Sequence, residues 1–241
     1  MNSLGGTYRP VRNNAIDRGT QMTHVRHPIS KLLLAGALAV ATLAAIPASA
    51  AVASDTPGTG TCTTTISGPL TGALTAAVGT TCLTNVTLHG AITVNPGAAL
   101  SIVSSTVYGA ITTNGASAFT FCNSSTVGGA ISVATSTGFI LIGDGGEGTC
   151  AGGHIDGAVT LDSNSGGVEL GGNTIGGAVK ASGNVAPTKG IPVEDAATEI
   201  EGNSIGGTLT CSGNNPVPTN DGKPNTVSSS RTGETCASFT F

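Results

Sequence analysis

NTIGGAVKASGN (Asn173–Asn184) and NSIGGTLTCSGN (Asn203–Asn214) are nearly the same phrase, written thirty residues apart. A phrase repeated this closely is either a binding site used twice or a structural unit laid twice. The rest of the chain favours the second reading. The core of the phrase is an apolar residue, any residue, glycine, a small residue and an aliphatic. It occurs seven times: LTGAL from Leu70, LHGAI from Leu88, VYGAI from Val107, VGGAI from Val127, IDGAV from Ile155, IGGAV from Ile175 and IGGTL from Ile205.

The anchor glycines are Gly72, Gly90, Gly109, Gly129, Gly157, Gly177 and Gly207, spaced by 18, 19, 20, 28, 20 and 30 residues. A unit near 20 residues explains the series once two insertions are allowed, GDGGEGTC at 143–150 and VAPTKGIPVED at 185–195. Self-similarity at a fixed period is the signature of a solenoid.

The pattern inside the unit has period two. Ile92, Ile111, Ile131, Val159, Val179 and Leu209 stand two past their glycines. Val94, Val133, Leu161, Ala181 and Cys211 stand four past, with Thr113 as the polar exception. The residues between are mostly Thr or Ser. Alternation of this kind marks a strand with one face in a core. A second strand follows in most units: ALSIV from Ala99, AFTF from Ala118, GFILI from Gly138, GVEL from Gly167 and TEIE from Thr198. Short strands, tight turns and a twenty-residue period predict an all-β chain folded as a single-stranded parallel β-helix of about seven coils. The irregular turn lengths favour a right-handed helix, because a left-handed hexapeptide helix needs aliphatics at a strict spacing of six. A leucine-rich repeat lacks its leucines here, and a β-sandwich leaves the period unexplained.

The cysteines test the register. Cys122 and Cys150 each stand seven residues before an anchor glycine, so they are equivalent in successive coils. Stacked coils bring equivalent Cα atoms to about 4.8 Å, within the reach of a disulfide. Cys62 and Cys82 are twenty residues apart, again one coil, and Cys211 is left for Cys236. Each bond would contribute on the order of 3 kcal/mol in the chain-entropy account.

KLLLAGALAVATLAAI at 31–46, with Arg26, His27 and Lys31 at its head and Ala48-Ser49-Ala50 after it, reads as a signal peptide with an extended leader over residues 1–50. Met22 is a second candidate start. The expected organisation is then a β-helix domain at 51–211 and a disulfide-tethered tail at 212–241 that caps one end, with 54–68 capping the other. An uncapped end would expose strand edges and invite self-association. The expected location is extracellular or cell-envelope associated, with no membrane contact after cleavage. Beyond Ala50 the chain has four basic against twelve acidic residues, a net of −8. That balance argues against nucleic acid, whose phosphates need a basic stripe.

Candidate chemistry is sparse. Asp144 and Glu147 in GDGGEG are the best calcium ligands, but calcium takes six or more oxygens and two carboxylates fall short. No Cys-x-x-Cys pair suggests zinc, and no motif implies a cofactor. Asp156, Glu199 and Glu201 are the acids a glycan-cleaving site would use, yet they do not share a coil position. His89 and His154 stand at different offsets from their glycines. Tyr108 is the only tyrosine after Ala50 and the chain has no Trp, so the usual stacking platforms for sugars are few. The surface that looks functional is an outward hydroxyl row, Thr93, Thr112, Ser132, Thr160 and Thr210, interrupted by Lys180 and flanked by alanines at 91, 110, 130, 158 and 178. It is similar to the ice-binding faces of some β-helical antifreeze proteins.

The GGAIxV coils, the Asn-Gly turns and the tail SGNNPVPTNDGKPNTV resemble a group of exported actinobacterial β-helix repeat proteins. The resemblance covers most of residues 60–236. It implies the fold and export and brings no catalytic residues. The Gly-aliphatic coils are also similar to those of bactofilins, which polymerise end to end but lack disulfides and are not exported this way. The expected function is that of a secreted, non-catalytic structural or adhesive rod whose partner is a cell-wall or extracellular glycan, or another copy of itself. The alternative is a glycan-binding or glycan-cleaving β-helix.

Overall fold

The computed structural model describes residues 60–187 and 198–241, all within the unit Ala51–Phe241. The expected signal peptide at 1–50, residues 54–59 of the expected N-terminal cap and most of the second insertion lie outside the described residues. What is described is a parallel β-helix, and every strand pairing in it is parallel.

Each coil has three sides, where the sequence pattern shows two strands. The first face runs through Thr64–Thr71 and Thr80–His89 by their leading halves, then Ala99–Val103, Ala118–Cys122, Ile140–Ile142, Val168–Gly171 and Thr198–Glu201. The second face takes the trailing halves of the first two strands, then Thr106–Val107, Thr126–Val127, His154–Ile155, Thr174–Ile175, Ser204–Ile205 and Thr226–Val227. The third is Leu74–Ala76, Ile92–Val94, Ile111–Asn114, Ile131–Ala134, Val159–Asp162, Val179–Ser182, Leu209–Ser212 and Arg231–Thr232. Among the described residues seven coils carry all three faces and an eighth is partial, so parallel pairing runs past Cys211 into the tail.

The extra side arises at the anchor glycine. The apolar residue before it closes the second face and the aliphatic after it opens the third, so the glycine is a corner. Added Cβ atoms at Gly109, Gly129, Gly157, Gly177 and Gly207 would lie 2.5–2.6 Å from backbone atoms of the preceding coil. Close stacking, rather than a left-handed φ, demands glycine there. A strand of two residues is too short to show its own periodicity, which is why it merges with its neighbour in the sequence.

The core is a set of inward columns. Leu100, Phe119, Ile140, Val168 and Thr198 form one, and Ile102, Phe121, Ile142, Leu170 and Ile200 the next. Ile92, Ile111, Ile131, Val159, Val179 and Leu209 form the third-face column, all buried. The disulfides Cys62–Cys82, Cys122–Cys150 and Cys211–Cys236 join as the register requires, with Cα separations of 5.8, 4.7 and 5.8 Å. The last of them sits in the core and holds the short 3-10 turn Thr235–Ala237 against the final coil.

The repeated asparagines are what close the two remaining corners. Asn173 and Asn203 are buried, and each stands after a left-handed glycine, Gly172 (φ 66°) and Gly202 (φ 59°). The left-handed residue at this corner is thus the glycine before each asparagine. The Asn173 backbone N–H donates to Asn203 Oδ1 (2.9 Å), and the Asn203 N–H donates to Asn225 Oδ1 (3.0 Å). Their Nδ2 groups donate to inward carbonyls of the preceding coil, Ile142 (2.6 Å) and Leu170 (2.8 Å). Ser105 and Ser125 fill the same position earlier, each Oγ accepting from the backbone one coil back, Val86 (3.0 Å) and Ser105 (3.1 Å). A second ladder, Asn164, Asn184 and Asn214, does the same at the corner between third and first faces. Glu234 ends that ladder, its two oxygens accepting from the Asn214 N–H (2.9 Å) and Nδ2 (2.8 Å). The Phe241 carbonyl ends the first by accepting from Asn225.

Two predictions follow from unequal satisfaction of these inward groups. Asn184→Ala removes the acceptor of the Asn164 N–H, one of the two acceptors of Asn164 Nδ2 (which keeps the Val133 carbonyl) and a donor to the Leu161 carbonyl. It should lower unfolding stability by at least about 2 kcal/mol, read from urea transitions with the disulfides intact. Thr113 lies inward between Val94 and Val133, 1% exposed, with Oγ1 unpartnered. Thr113→Val should raise stability by about 1 kcal/mol in the same assay, since it removes an unmet hydroxyl at equal volume.

Candidate functional site

The third-face hydroxyl row is continuous in register. Thr75, Thr93, Thr112, Ser132, Thr160, Lys180, Thr210 and Thr232 are direct partners from coil to coil. All point outward and none is buried. Successive members stand about 4.8 Å apart, the spacing of paired strands. Their alternation with the buried Ile92, Ile111, Ile131, Val159, Val179 and Leu209 holds them on one side. Beside them runs a further row, polar except at Ala134: Asn114, Ala134, Asp162, Ser182 and Ser212, in which the Ser182 hydroxyl donates to Asp162.

A second hydroxyl row stands on the adjacent face: Thr87, Thr106, Thr126, His154, Thr174, Ser204 and Thr226. Sequence reasoning missed it because the pattern was counted forward from each glycine, whereas these residues stand three before it. Its signal is present as TVYG, TVGG, HIDG, TIGG and SIGG. The two rows flank the glycine–alanine corner along the rod.

The acids settle differently from their sequence grouping. Asp144 braces its own loop: Oδ1 accepts from the Gly146 N–H (2.9 Å) and Oδ2 from the Cys150 N–H (2.7 Å). Glu147 instead approaches Glu199 and Glu201, the three offering carboxylate oxygens within 4.8 Å of one another. Glu199 and Glu201 point outward from the first face, one strand residue apart, yet are 1% and 0% exposed. Glycines make room for this. An added Cβ on Gly145 would fall 1.7 Å from Glu201 Oε1, and one on Gly171 would fall 2.3 Å from the Gly145 nitrogen. Lys223 Nζ bridges Glu147 (2.7 Å) and Glu201 (3.1 Å). Asp156, as the coil offsets indicate, is elsewhere, at the corner after the second face, where it pairs with His154 (2.7 Å).

Burial is the main reason that Glu199 keeps its proton up to about pH 9, aided by hydrogen bonding and repulsion from Asp221 and by the charges of Glu201 and Glu169. Burial also raises Glu201, with Lys223 pulling the other way. For Lys223, burial opposes the charge, but its bonds to Glu147 and Glu201 prevail and raise its pKa. The insertion loop, the first face and the tail are thus joined by one half-neutralised carboxylate cluster. Outer packing of Cys122, Cys150, Phe139 and Leu141 secures the same loop.

No family model, curated protein or solved structure matches the chain. Three disulfides suit an oxidising extracellular setting, and among the described residues no helix is long and apolar enough to cross a membrane.

The cluster makes a signed prediction. An unfolded glutamate releases its proton near 4.5 while folded Glu199 keeps it to about 9, so folding takes up a proton throughout that window. Stability contributed this way is complete below pH 4.5 and is lost as pH rises towards 9. Glu199→Gln, uncharged at every pH, removes the loss. Its stability relative to wild type should climb from pH 5 to pH 8.5 in urea unfolding; a constant difference would refute the assignment.

Proposed function

We propose that this protein is a secreted, non-catalytic structural or adhesive rod that binds a repeating extracellular glycan through its hydroxyl-bearing faces. The observation that carries this reading is the in-register row from Thr75 to Thr232, one outward hydroxyl per coil except at Lys180. Hydroxyls both donate and accept, so a row at fixed spacing suits a polymer surface that repeats its own hydroxyls. The stapled, column-packed interior supplies rigidity, so little entropy is lost on contact. The glycan partner is favoured over end-to-end stacking because Glu234 and the Phe241 carbonyl already engage the terminal ladder asparagines.

A glycan-cleaving reading draws on Glu147, Glu199 and Glu201, since a carboxyl that stays protonated at neutral pH is suited to donate a proton. A general acid must reach its substrate directly or through one water. With Glu199 1% and Glu201 0% exposed, neither does, and the cluster is better read as a clamp on the 143–150 loop.

The test is adsorption to insoluble cell-wall glycan and cellulose by co-sedimentation. The triple variant Thr112→Glu, Ser132→Glu, Thr160→Glu places three like charges on adjacent coils of the third face. It should reduce the bound fraction at least about tenfold, with Glu199→Gln unchanged. Equal adsorption of the triple variant, or release of soluble sugar that Glu199→Gln abolishes, would overturn the reading.

A further inference from the structure

His89, His154, Asp156 and Tyr108 carry no shared signal in the sequence, yet folding places them at one corner. The residue between the apolar position and the anchor glycine forms an outward column: Thr71, His89, Tyr108, Gly128, Asp156, Gly176 and Gly206. His89 and Tyr108 lie flat on each other in successive coils, ring centroids 4.5 Å apart and planes 10° apart. A ring stacked on the coil before it turns its other face to the coil after it. There the column holds Gly128, which has no side chain. One coil further on is Asp156, whose Oδ1 is 2.7 Å from His154 Nε2.

The backbone levels of Tyr108 and Asp156 are two coils apart, about 9.6 Å at the spacing of paired strands. A ring stacked at van der Waals distance, about 3.5–4 Å, from the tyrosine face would lie near the level of Gly128 and leave hydrogen-bonding room before Asp156. The recess is open: Tyr108 is 58% exposed, and the His154 and Asp156 side chains are 49% and 57% exposed. One wall is therefore an aromatic face, the floor is bare backbone, and the far wall is a carboxylate and an imidazole. Thr126 precedes the floor on the second face. An apolar face with clustered polar groups beyond it fits a ligand whose C–H face lies on the tyrosine and whose equatorial hydroxyls, around its edge, come within reach of the carboxylate and imidazole, which is a sugar ring. A flat aromatic ligand would leave the polar wall unmet.

We propose that the recess over Gly128, between Tyr108 and the His154–Asp156 pair, is a binding subsite for one neutral pyranose unit of a glycan. This rests on the adhesive reading and narrows its partner. Asp156 accepts from the sugar hydroxyls, His154 orients that carboxylate, and the acidic balance of the chain turns uronic acids away.

The chain has no Trp and its tyrosines are Tyr8 and Tyr108, so Tyr8→Phe leaves Tyr108 as the only emitter above phenylalanine. The Tyr8→Phe chain is titrated with cellohexaose, with N-acetylated chitohexaose and with hexagalacturonate, reading tyrosine emission and calorimetry. The expected result is a saturable change with one or both neutral hexamers and none with hexagalacturonate. By calorimetry, Tyr108→Ala should weaken the binding at least about tenfold and Asp156→Ala several-fold, with Tyr108→Phe within about twofold of the parent. No saturable response to either neutral hexamer, or undiminished calorimetric affinity in Tyr108→Ala, would overturn the subsite. The adhesive reading is tested apart from it: the hydroxyl-row triple variant leaves Tyr108, Gly128 and Asp156 intact. Loss of its adsorption with hexamer binding retained separates the two.

Discussion

Everything in this molecule depends on making a corner that repeats every 4.8 Å or so. A parallel coil must turn three times and lie on its predecessor each time. At every turn its backbone leaves polar groups that the adjacent strands cannot satisfy, and two of the turns face the interior. A buried unmet N–H or C=O costs about 1–3 kcal/mol, which a small coil cannot carry at two corners. Asparagine resolves this because its side chain is itself an amide. Its Oδ1 accepts from the coil before, and its Nδ2 donates to an inward carbonyl, so the ladder extends the sheet's hydrogen bonding around the bend. Serine at Ser105 and Ser125 in the earlier coils also accepts from the coil before, but its hydroxyl donates to a carbonyl of its own coil, Val103 or Cys122, so it does not reach back to the inward carbonyl. The third corner solves the problem by approach alone: the glycines let carbonyls of one coil sit against the next.

This division explains which parts of the fold were legible. The twenty-residue period, the inward columns and the disulfides Cys62–Cys82 and Cys122–Cys150 could be read because each depends on equivalence between coils, and equivalence survives as spacing; Cys211–Cys236 followed only by elimination. The equivalence of Asn173 and Asn203, four residues before their anchor glycines, was legible for the same reason. The location of the left-handed residue was not, because Gly172 and Gly202 look like part of a glycine-rich turn whose rungs cannot be told from its bends. The two-residue strands of the second face were hidden too, and with them the row Thr87 to Thr226. Two residues carry no period, so only their pairing partners identify them.

The carboxylate cluster was illegible for another reason. Glu147, Glu201 and Lys223 come from an insertion, a strand and the tail, and the insertions at 143–150 and 185–195 break the numerical offset that relates equivalent positions. Asp144 and Glu147 looked like a pair of ligands because they are close in sequence. In the fold they separate: Asp144 turns inward to its own loop and Glu147 outward to Lys223. Glycines decide that arrangement as much as charge does, since Gly145 and Gly171 leave the volume that Glu201 fills.

A β-helix assigns separate work to the two sides of each strand. Inward positions are constrained by neighbours above and below, so they converge on aliphatics and asparagine. Outward positions share the same register but not the same packing, and so are free to vary; repetition there is not required for folding. Thr is a good strand residue, which accounts for some of its frequency on both faces. Strand preference alone does not account for the near absence of Val and Ile from those outward rows, since both favour strands at least as strongly and would fold as well. Hydroxyls fill seven of the eight third-face positions, Lys180 being the exception, on the side where apolar residues would also satisfy the strand; that spacing is what the proposed glycan contact would use. The one coil that places Tyr108 before a bare Gly128 departs from that uniformity at the corner between the rows, where a repeating polymer lying along the rod would meet it.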